Sequence, residues 1–362
     1  MEEEQIVIVG GGNGALAFAA YFGLRGYPVR LWEFPEFRES LKTVCEHRKV
    51  QASGALHGEV QVECHENLGE ALEGTTLIMV VVPAFAHQRV AEELVPFLRE
   101  NMIVVLNPGR TGGALEVAAV FRRKGLLIPV AETQSLLFAC RRKGDQGIHF
   151  GGVKASMRVG VFPAKRTQEV MLHLTVLIPQ FRAVRDVLTT SLGNIGAMFH
   201  PASALLNVGL VESRRSYDYY PETMTRSVAK VIEKLDRERM ALARAAGAEV
   251  FSAPDWLCES YQLRKAPLHE MLQNNPAYQG VSGPTDMNTR YITEDVPMGL
   301  VPMEAFGKLY GVPTPTMSAL ISVASLLTDM DFRSTGRNLE RLDLSGLTPA
   351  AVSEFVREGS RP

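Results

Sequence analysis

The sequence predicts an α/β protein: a doubly wound parallel sheet in the N-terminal half, followed by an all-α C-terminal domain. Three observations predict it. Strand-length apolar runs alternate with helix-length segments through about residue 135. The first of these runs empties into a glycine-rich turn. Beyond about residue 188 the apolar residues recur at helical spacing instead. Alternating β and α elements build a parallel sheet covered by helices, and a helical tail packs as a layer of its own. Domains are expected at 1–188 and 189–362, with a cleft between them.

The elements follow in order. QIVIV, Gln5 to Val9, reads as a short buried strand. Gly10-Gly11-Gly12-Asn13-Gly14-Ala15 follows, then a helix with Leu16, Ala19, Ala20 and Leu24 in helical spacing and Gly26 at its end. PVRLWE is a second strand closing on Glu33. Gly10, Gly12 and Ala15 occupy the three positions of G-x-G-x-x-A, the Rossmann fingerprint. Gly10 makes the tight turn, Gly12 admits a pyrophosphate to the backbone, and Ala15 lets helix and strand pack closely. Asn13 and Gly14 open the helix, whose free amides receive the phosphates. Glu33, 23 residues after Gly10, would bond the adenosine ribose and disfavour a 2′-phosphate, so NAD(H) is expected over NADP(H). Arg30 and Arg38 stand nearby.

Leu77 to Val82 is a near-continuous apolar run, as a central strand buried on both faces requires. Pro83 ends it and is counted with the cofactor site. NMIVVLNPGRTGGALEV repeats strand, turn and helix, and LLIPVAET ends a further strand near Glu132. VKASMRVGVFPAKR adds one or two strands near 150–163. Ligand belongs at the carboxyl ends of these strands, at Gly10–Ala15, Pro83-Ala84, Asn107-Pro108-Gly109 and Glu132-Thr133. In the second half, Met224, Val228, Ile232, Leu235 and Leu242 share one helical face, with Gly247 as a stop. Pro302–Tyr310 and Thr316–Asp329 read as helices too.

Composition excludes several classes. With 38 basic and 40 acidic residues the net charge is −2, which favours neither nucleic acid nor an anionic membrane as partner. The longest apolar run, Met317 to Leu327, is too short to span a bilayer. Three glutamates, in place of a basic region, precede the first apolar stretch, so no signal peptide is expected. The four cysteines, Cys45, Cys64, Cys140 and Cys258, form no CxxC pair, and a reduced, cytoplasmic chain is expected. No spacing suggests a metal site.

A dinucleotide domain needs proton handling and substrate anchoring from elsewhere. His200, in TSLGNIGAMFHP, lies at the seam of the two halves, before Pro201, where a helix is expected to end. It can give or take a proton near neutrality. The bland role is a histidine at a helix C-terminus. Arg290 and Asp295, in MNTRYITEDVP, could clamp a carboxylate and orient an imidazole, or form a surface ion pair. Arg141 and Arg142 read as solvated, and His87 is ambiguous. Cys140 reads as a small buried hydrophobe before a nucleophile, and Trp256 and Tyr261 as core.

The stretches GGGNGALAFAAY, VVVPA, LNPGRTGGALE, ETQSLLFACR, TSLGNIGAMFHP, NPAYQGVSGPTDMNTRYITEDVPMGLVP and LSGLT together resemble the opine dehydrogenases, the octopine and nopaline dehydrogenase family. The resemblance covers nearly the whole chain. It implies a Rossmann domain joined to a helical domain, with NAD(P)H and substrates in the cleft. It implies reductive condensation of an α-keto acid, often pyruvate, with the amino group of an amino acid. The family's catalytic histidine falls on His200, its partner aspartate on Asp295 and its keto-acid arginine on Arg290. Asn194 and Cys140 are further candidate substrate contacts. Two other readings stay open: a 2-hydroxyacid or glycerol-3-phosphate-type dehydrogenase, and a non-catalytic NAD sensor. A homodimer is the expected assembly.

Overall fold

The computed structural model describes residues 4–362. Its strands, in chain order, are β1 (Ile6–Val9), β2 (Val29–Trp32), β3 (Lys49–Gly54), β4 (Gly58–Gln61), β5 (Glu63–Cys64), β6 (Leu77–Val80), β7 (Ile103–Leu106), β8 (Val130–Thr133), β9 (Phe138–Lys143), β10 (Gly147–Val153), β11 (Met157–Phe162) and β12 (Phe181–Ala183). Eight of them form one sheet in the order β12-β11-β8-β7-β6-β1-β2-β5. Its pairs are parallel except β8 with β11. β1, β6 and β7 are buried at every residue, which explains their unbroken apolar runs. The register sets Val9 against Trp32 and Val80, and Leu106 against Val80 and Glu132. Gly10, Glu33, Val81 and Asn107 therefore leave the sheet on one side, where β8 ends at Thr133.

The helices of this part are α1 (Asn13–Gly23), α2 (Lys42–His47), α3 (Leu68–Ala71), α4 (His87–Leu94), α5 (Gly113–Arg123), α6 (Thr167–Leu177) and α7 (Val187–Leu192). Every residue of α1 from Ala15 to Phe22 is buried, so a second layer must cover its outer side. That layer is a four-stranded sheet, β4-β3-β10-β9, which the sequence does not announce. Phe138 meets Phe18 edge-on at 4.8 Å, and Val50, Val60 and Phe150 join the same core.

Helical elements follow: α8 (Gly196–Leu205), α9 (Val208–Val211), α10 (Tyr219–Thr223), α11 (Arg226–Ala245), α12 (Ala253–Tyr261), α13 (Leu268–Gln273), α14 (Arg290–Thr293), α15 (Val301–Tyr310), α16 (Pro315–Thr328), α17 (Phe332–Thr335) and α18 (Pro349–Glu358). The Thr225 hydroxyl caps α11, which buries Val228, Ile232, Leu235 and Leu242 on the expected face. The chain sorts into two compact units. One ends at Thr190 and resumes from Glu354 to Pro362; the other is Ser191–Ser353. The returning segment seals the first unit: Phe355 lies 5.2 Å from the Phe162 ring, and Arg122 sits over Phe355 at 4.5 Å.

Two sequence expectations are corrected. Cys45 and Cys64 are not reduced thiols but form a disulfide, with Cα atoms 5.5 Å apart. The fold brings α2 beside β5, a proximity that a spacing of 19 residues conceals. Helix α8 does not end at His200: Pro201 lies inside it, and the helix runs on to Leu205. Pro201 is the sixth of the ten residues, past the first turn, so α8 continues through it with one intrahelical hydrogen bond fewer. His200 is therefore no C-terminal capping residue. No helix of the described residues is long and apolar enough to cross a membrane.

Candidate active site

The glycine turn belongs to the first unit. Gly10 has φ +129°, and a Cβ there would stand 2.5 Å from the Val81 carbonyl oxygen. Only glycine fits that crossing of two strand ends. Gly12 is the N-cap of α1 without a side-chain cap, and nothing lies within 4 Å of where its Cβ would be. The first turn of α1 thus offers amides to a phosphate across open space. Ala15 is fully buried against the sheet. Pro83 follows β6 and starts the short turn Ala84–Ala86, and His87 behind it is fully buried.

Glu33 is 8% exposed and accepts from the amides of Phe34, at 2.8 Å, and Gly11. Burial pushes its carboxyl above the usual range, against the pull of those amides. It lines a cavity of about 700 Å³ with Arg38, Glu39, Glu63, Glu66 and the Cys45–Cys64 disulfide. Arg38 is held there by the carbonyls of Glu33 and Glu66. These features fit the adenosine end of a dinucleotide.

Other strand-edge residues have structural duties. Glu132, fully buried, accepts from the Ala114 amide at 2.8 Å and the Thr190 hydroxyl at 2.5 Å, tying the start of α5 to the body of α7. The Cys140 thiol, pushed up to about 11 by burial, donates to the Asn13 carbonyl at 3.7 Å. It sits against the glycine turn and is no nucleophile at neutral pH. Arg141 is exposed as expected, whereas Arg142 is half-buried and donates to the carbonyls of Ser40 and Asp145.

In the second unit, His200 and Asp295, 95 residues apart, meet. Nδ1 of His200 lies 2.8 Å from Oδ2 of Asp295, whose side chain is 1% exposed. A carboxylate accepts only, so Nδ1 carries a hydrogen and Nε2 is the nitrogen left for chemistry. A π-helical turn, Val296–Leu300, follows Asp295 and packs against α8. A Cβ at Gly299 would fall 2.7 Å from the Ala197 Cβ, so the absence of a side chain sets how closely aspartate and histidine approach. Asn194 is buried beside the same glycine, 3.5 Å from that Cβ position.

Arg290 is the first residue of α14, five before Asp295. Its Nε and Nη2 both reach one oxygen of buried Glu294, at 2.8 and 2.5 Å, while its side chain is 60% exposed. An arginine has five donor hydrogens, so this pair aims the guanidinium without exhausting it.

Sequence spacing misses an aromatic frame around the histidine. Tyr291 stacks on His200 at 4.5 Å, the Tyr219 hydroxyl donates to the His200 carbonyl at 3.0 Å, and the Tyr220 hydroxyl lies 3.1 Å from Nε2. Tyr220 stacks on Tyr278, and the row continues through Tyr261 to Trp256. The only cue was the doubled tyrosine of SYDYYPET and the tyrosine next to Arg290. Among the described residues no cluster of three metal-binding side chains occurs.

Residues 183–328 match the family model described as NAD/NADP octopine/nopaline dehydrogenase, alpha-helical domain. Residues 5–109 match the N-terminus of NAD-dependent glycerol-3-phosphate dehydrogenase. The chain is 38% identical to the opine dehydrogenase of Arthrobacter sp. (strain 1C), over 98% of this chain and 99% of that one. It is 26% identical to the protein ocs of Agrobacterium vitis, over 96% and 98%. Among solved structures, octopine dehydrogenase in complex with NADH and agmatine covers 96% of this chain, and 97% of its own, with TM-score 0.79 and 20% identity. NADP+-bound yersinopine dehydrogenase covers 98% of each, with TM-score 0.73 and 17% identity.

Proposed function

The chain belongs to the opine dehydrogenases, and from that premise we propose that His200, Asp295 and Arg290 carry its chemistry on an α-keto acid and an L-amino acid. The activity is NAD(P)-dependent reductive condensation: the amino group replaces the keto oxygen, which leaves as water, and the C=N bond is reduced to a secondary amine. The keto acid is pyruvate and the cofactor NAD(H). The observation that carries these roles is the 2.8 Å contact between His200 and a buried Asp295, with Arg290 on the adjoining turn.

Each unit has its own part. Gly10, Gly12, Asn13, Gly14, Ala15 and Pro83 hold the dinucleotide at the strand edge, and Glu33 takes the adenosine ribose. A carboxylate in that place repels a 2′-phosphate, which supports NAD over NADP. When bound, the nicotinamide supplies the hydride. Arg290, aimed by Glu294, binds the keto acid carboxylate through its remaining donors. His200 supplies from Nε2 the proton that the reacting oxygen needs, and Asp295 fixes the ring and stabilises its charged form. In the reverse direction neutral Nε2 is the base. Val323, Leu326, Leu327 and Met330, exposed along and just past the end of α16, support a homodimer.

The test is NADH oxidation with pyruvate, with and without a mixture of L-amino acids. Oxidation that requires both substrates supports the assignment, and dividing the mixture names the amine. Oxidation with pyruvate alone overturns it in favour of a hydroxyacid dehydrogenase.

A further inference from the structure

We propose that Tyr220 is a further residue of the reaction, its hydroxyl relaying a proton from His200 Nε2 to the oxygen lost as water. The inference rests on the proposed role of His200 and extends it.

Asp295 occupies Nδ1, so any proton that the imidazole exchanges must pass through Nε2. The Tyr220 hydroxyl stands there, at 3.1 Å. A phenol both donates and accepts, so it can take the Nε2 hydrogen while giving its own away. Its ring is not free to swing aside. It lies face to face on Tyr278, with centroids 3.8 Å apart and planes 11° apart, and edge-on to Tyr219 at 5.2 Å. Tyr220 is 7% exposed. Its neighbour Tyr219 holds the same histidine by the main-chain carbonyl, so two consecutive residues of α10 fix both ends of His200. A tyrosine that only filled space would need no hydroxyl at the one exchangeable nitrogen.

The step balances as follows. Addition of the amine to the keto carbon gives a carbinolamine. Its hydroxyl oxygen takes the phenol hydrogen and leaves as water while the nitrogen lone pair closes the C=N bond. The phenol oxygen takes the hydrogen of Nε2, and the imidazolium becomes neutral imidazole. One proton passes from His200 to water, and Tyr220 ends as it began.

The experiment compares Tyr220→Phe, His200→Asn and the double variant. Saturating kcat with pyruvate and the amino acid is measured from pH 6 to 9, and NADH affinity and thermal melting serve as controls. Phenylalanine keeps the ring stack and removes only the hydroxyl. Expected for Tyr220→Phe is a fall in kcat of about 100-fold at every pH, with NADH affinity and melting unchanged. The double variant is expected to be no slower than His200→Asn. A wild-type rate in Tyr220→Phe overturns the relay. So does a profile merely displaced along the pH axis, with full rate recovered at one end, because that marks a residue that only tunes His200. Equal losses from Tyr220→Phe with and without His200 also overturn it, because the two would then act apart. If His200→Asn itself keeps full turnover, the role of His200 fails on its own account.

Discussion

His200 is poised by what is denied to one of its nitrogens. A buried carboxylate claims Nδ1, which fixes the tautomer and leaves one basic position. His200→Ala is therefore expected to lose at least about 100-fold in kcat while NADH dissociation, followed by fluorescence, stays within twofold. Parallel loss of NADH binding would make the residue structural. Arg290→Ala is expected to raise the KM for the keto acid about 10- to 100-fold, the range for one charge-assisted pair, and to leave the amino acid KM unchanged. Cys140 offers a check of a different kind. A thiol held near 11 against an ordinary value of 9.0 carries about 100-fold less thiolate at pH 8. Iodoacetamide labelling read by mass spectrometry should therefore modify Cys140 far more slowly than a small-molecule thiol.

At the scale of elements, close packing of α8 on the turn after Asp295 decides whether the dyad exists. Gly299→Ala places a methyl 2.7 Å from the Ala197 Cβ, so the two segments must part. The expected result is a loss of turnover larger than the loss of melting temperature implies. Glu304 on α15 ties the helices together. Its hydrogen bonds from Arg333 at 2.8 and 2.9 Å, and from Ser318 at 2.6 Å, hold its carboxyl at about 2. That is below the ordinary 4.5, so ionised Glu304 favours the folded chain above about pH 4.5. The benefit drains away as pH falls through the folded value. Glu304→Gln should cost about 1–2 kcal/mol at pH 7 by denaturant unfolding, less than the full shift because water screens the half-exposed Arg333, and the gap to the parent should close toward pH 2.

The elements also explain what the sequence disclosed. β1, β6 and β7 are buried on both faces, so their residues could only be apolar, and the runs were legible. β3 and β4 bury only Val50, Ala52 and Val60 and turn Gln51, Glu59 and Gln61 to water, a pattern too short to separate from loop. The turn at Gly10 was legible because its backbone tolerates one residue type. The residues of the dyad could be named through a family resemblance, whereas their contact spans 95 positions and no local period encodes it. Tyr220 was invisible for a further reason. It sits in a five-residue helix whose position depends on stacking against Tyr278, far along the chain.

For the whole molecule, the two units are unequal in chain continuity. The second is one unbroken segment, and the first is closed by the last nine residues. Phe355 is 1% exposed, so Phe355→Ala should cost about 3–5 kcal/mol by denaturant unfolding, in the transition that also abolishes NADH binding. A chain stopped after Ser353 should lose that binding although every strand of the large sheet and the whole glycine turn remain. The same connectivity sets a timetable for biosynthesis. The ribosome makes the strands of the large sheet within the first 183 residues but delivers their final cover last. The cofactor-binding half must wait for Glu354–Pro362, so a nascent chain that has not reached them holds no finished dinucleotide site.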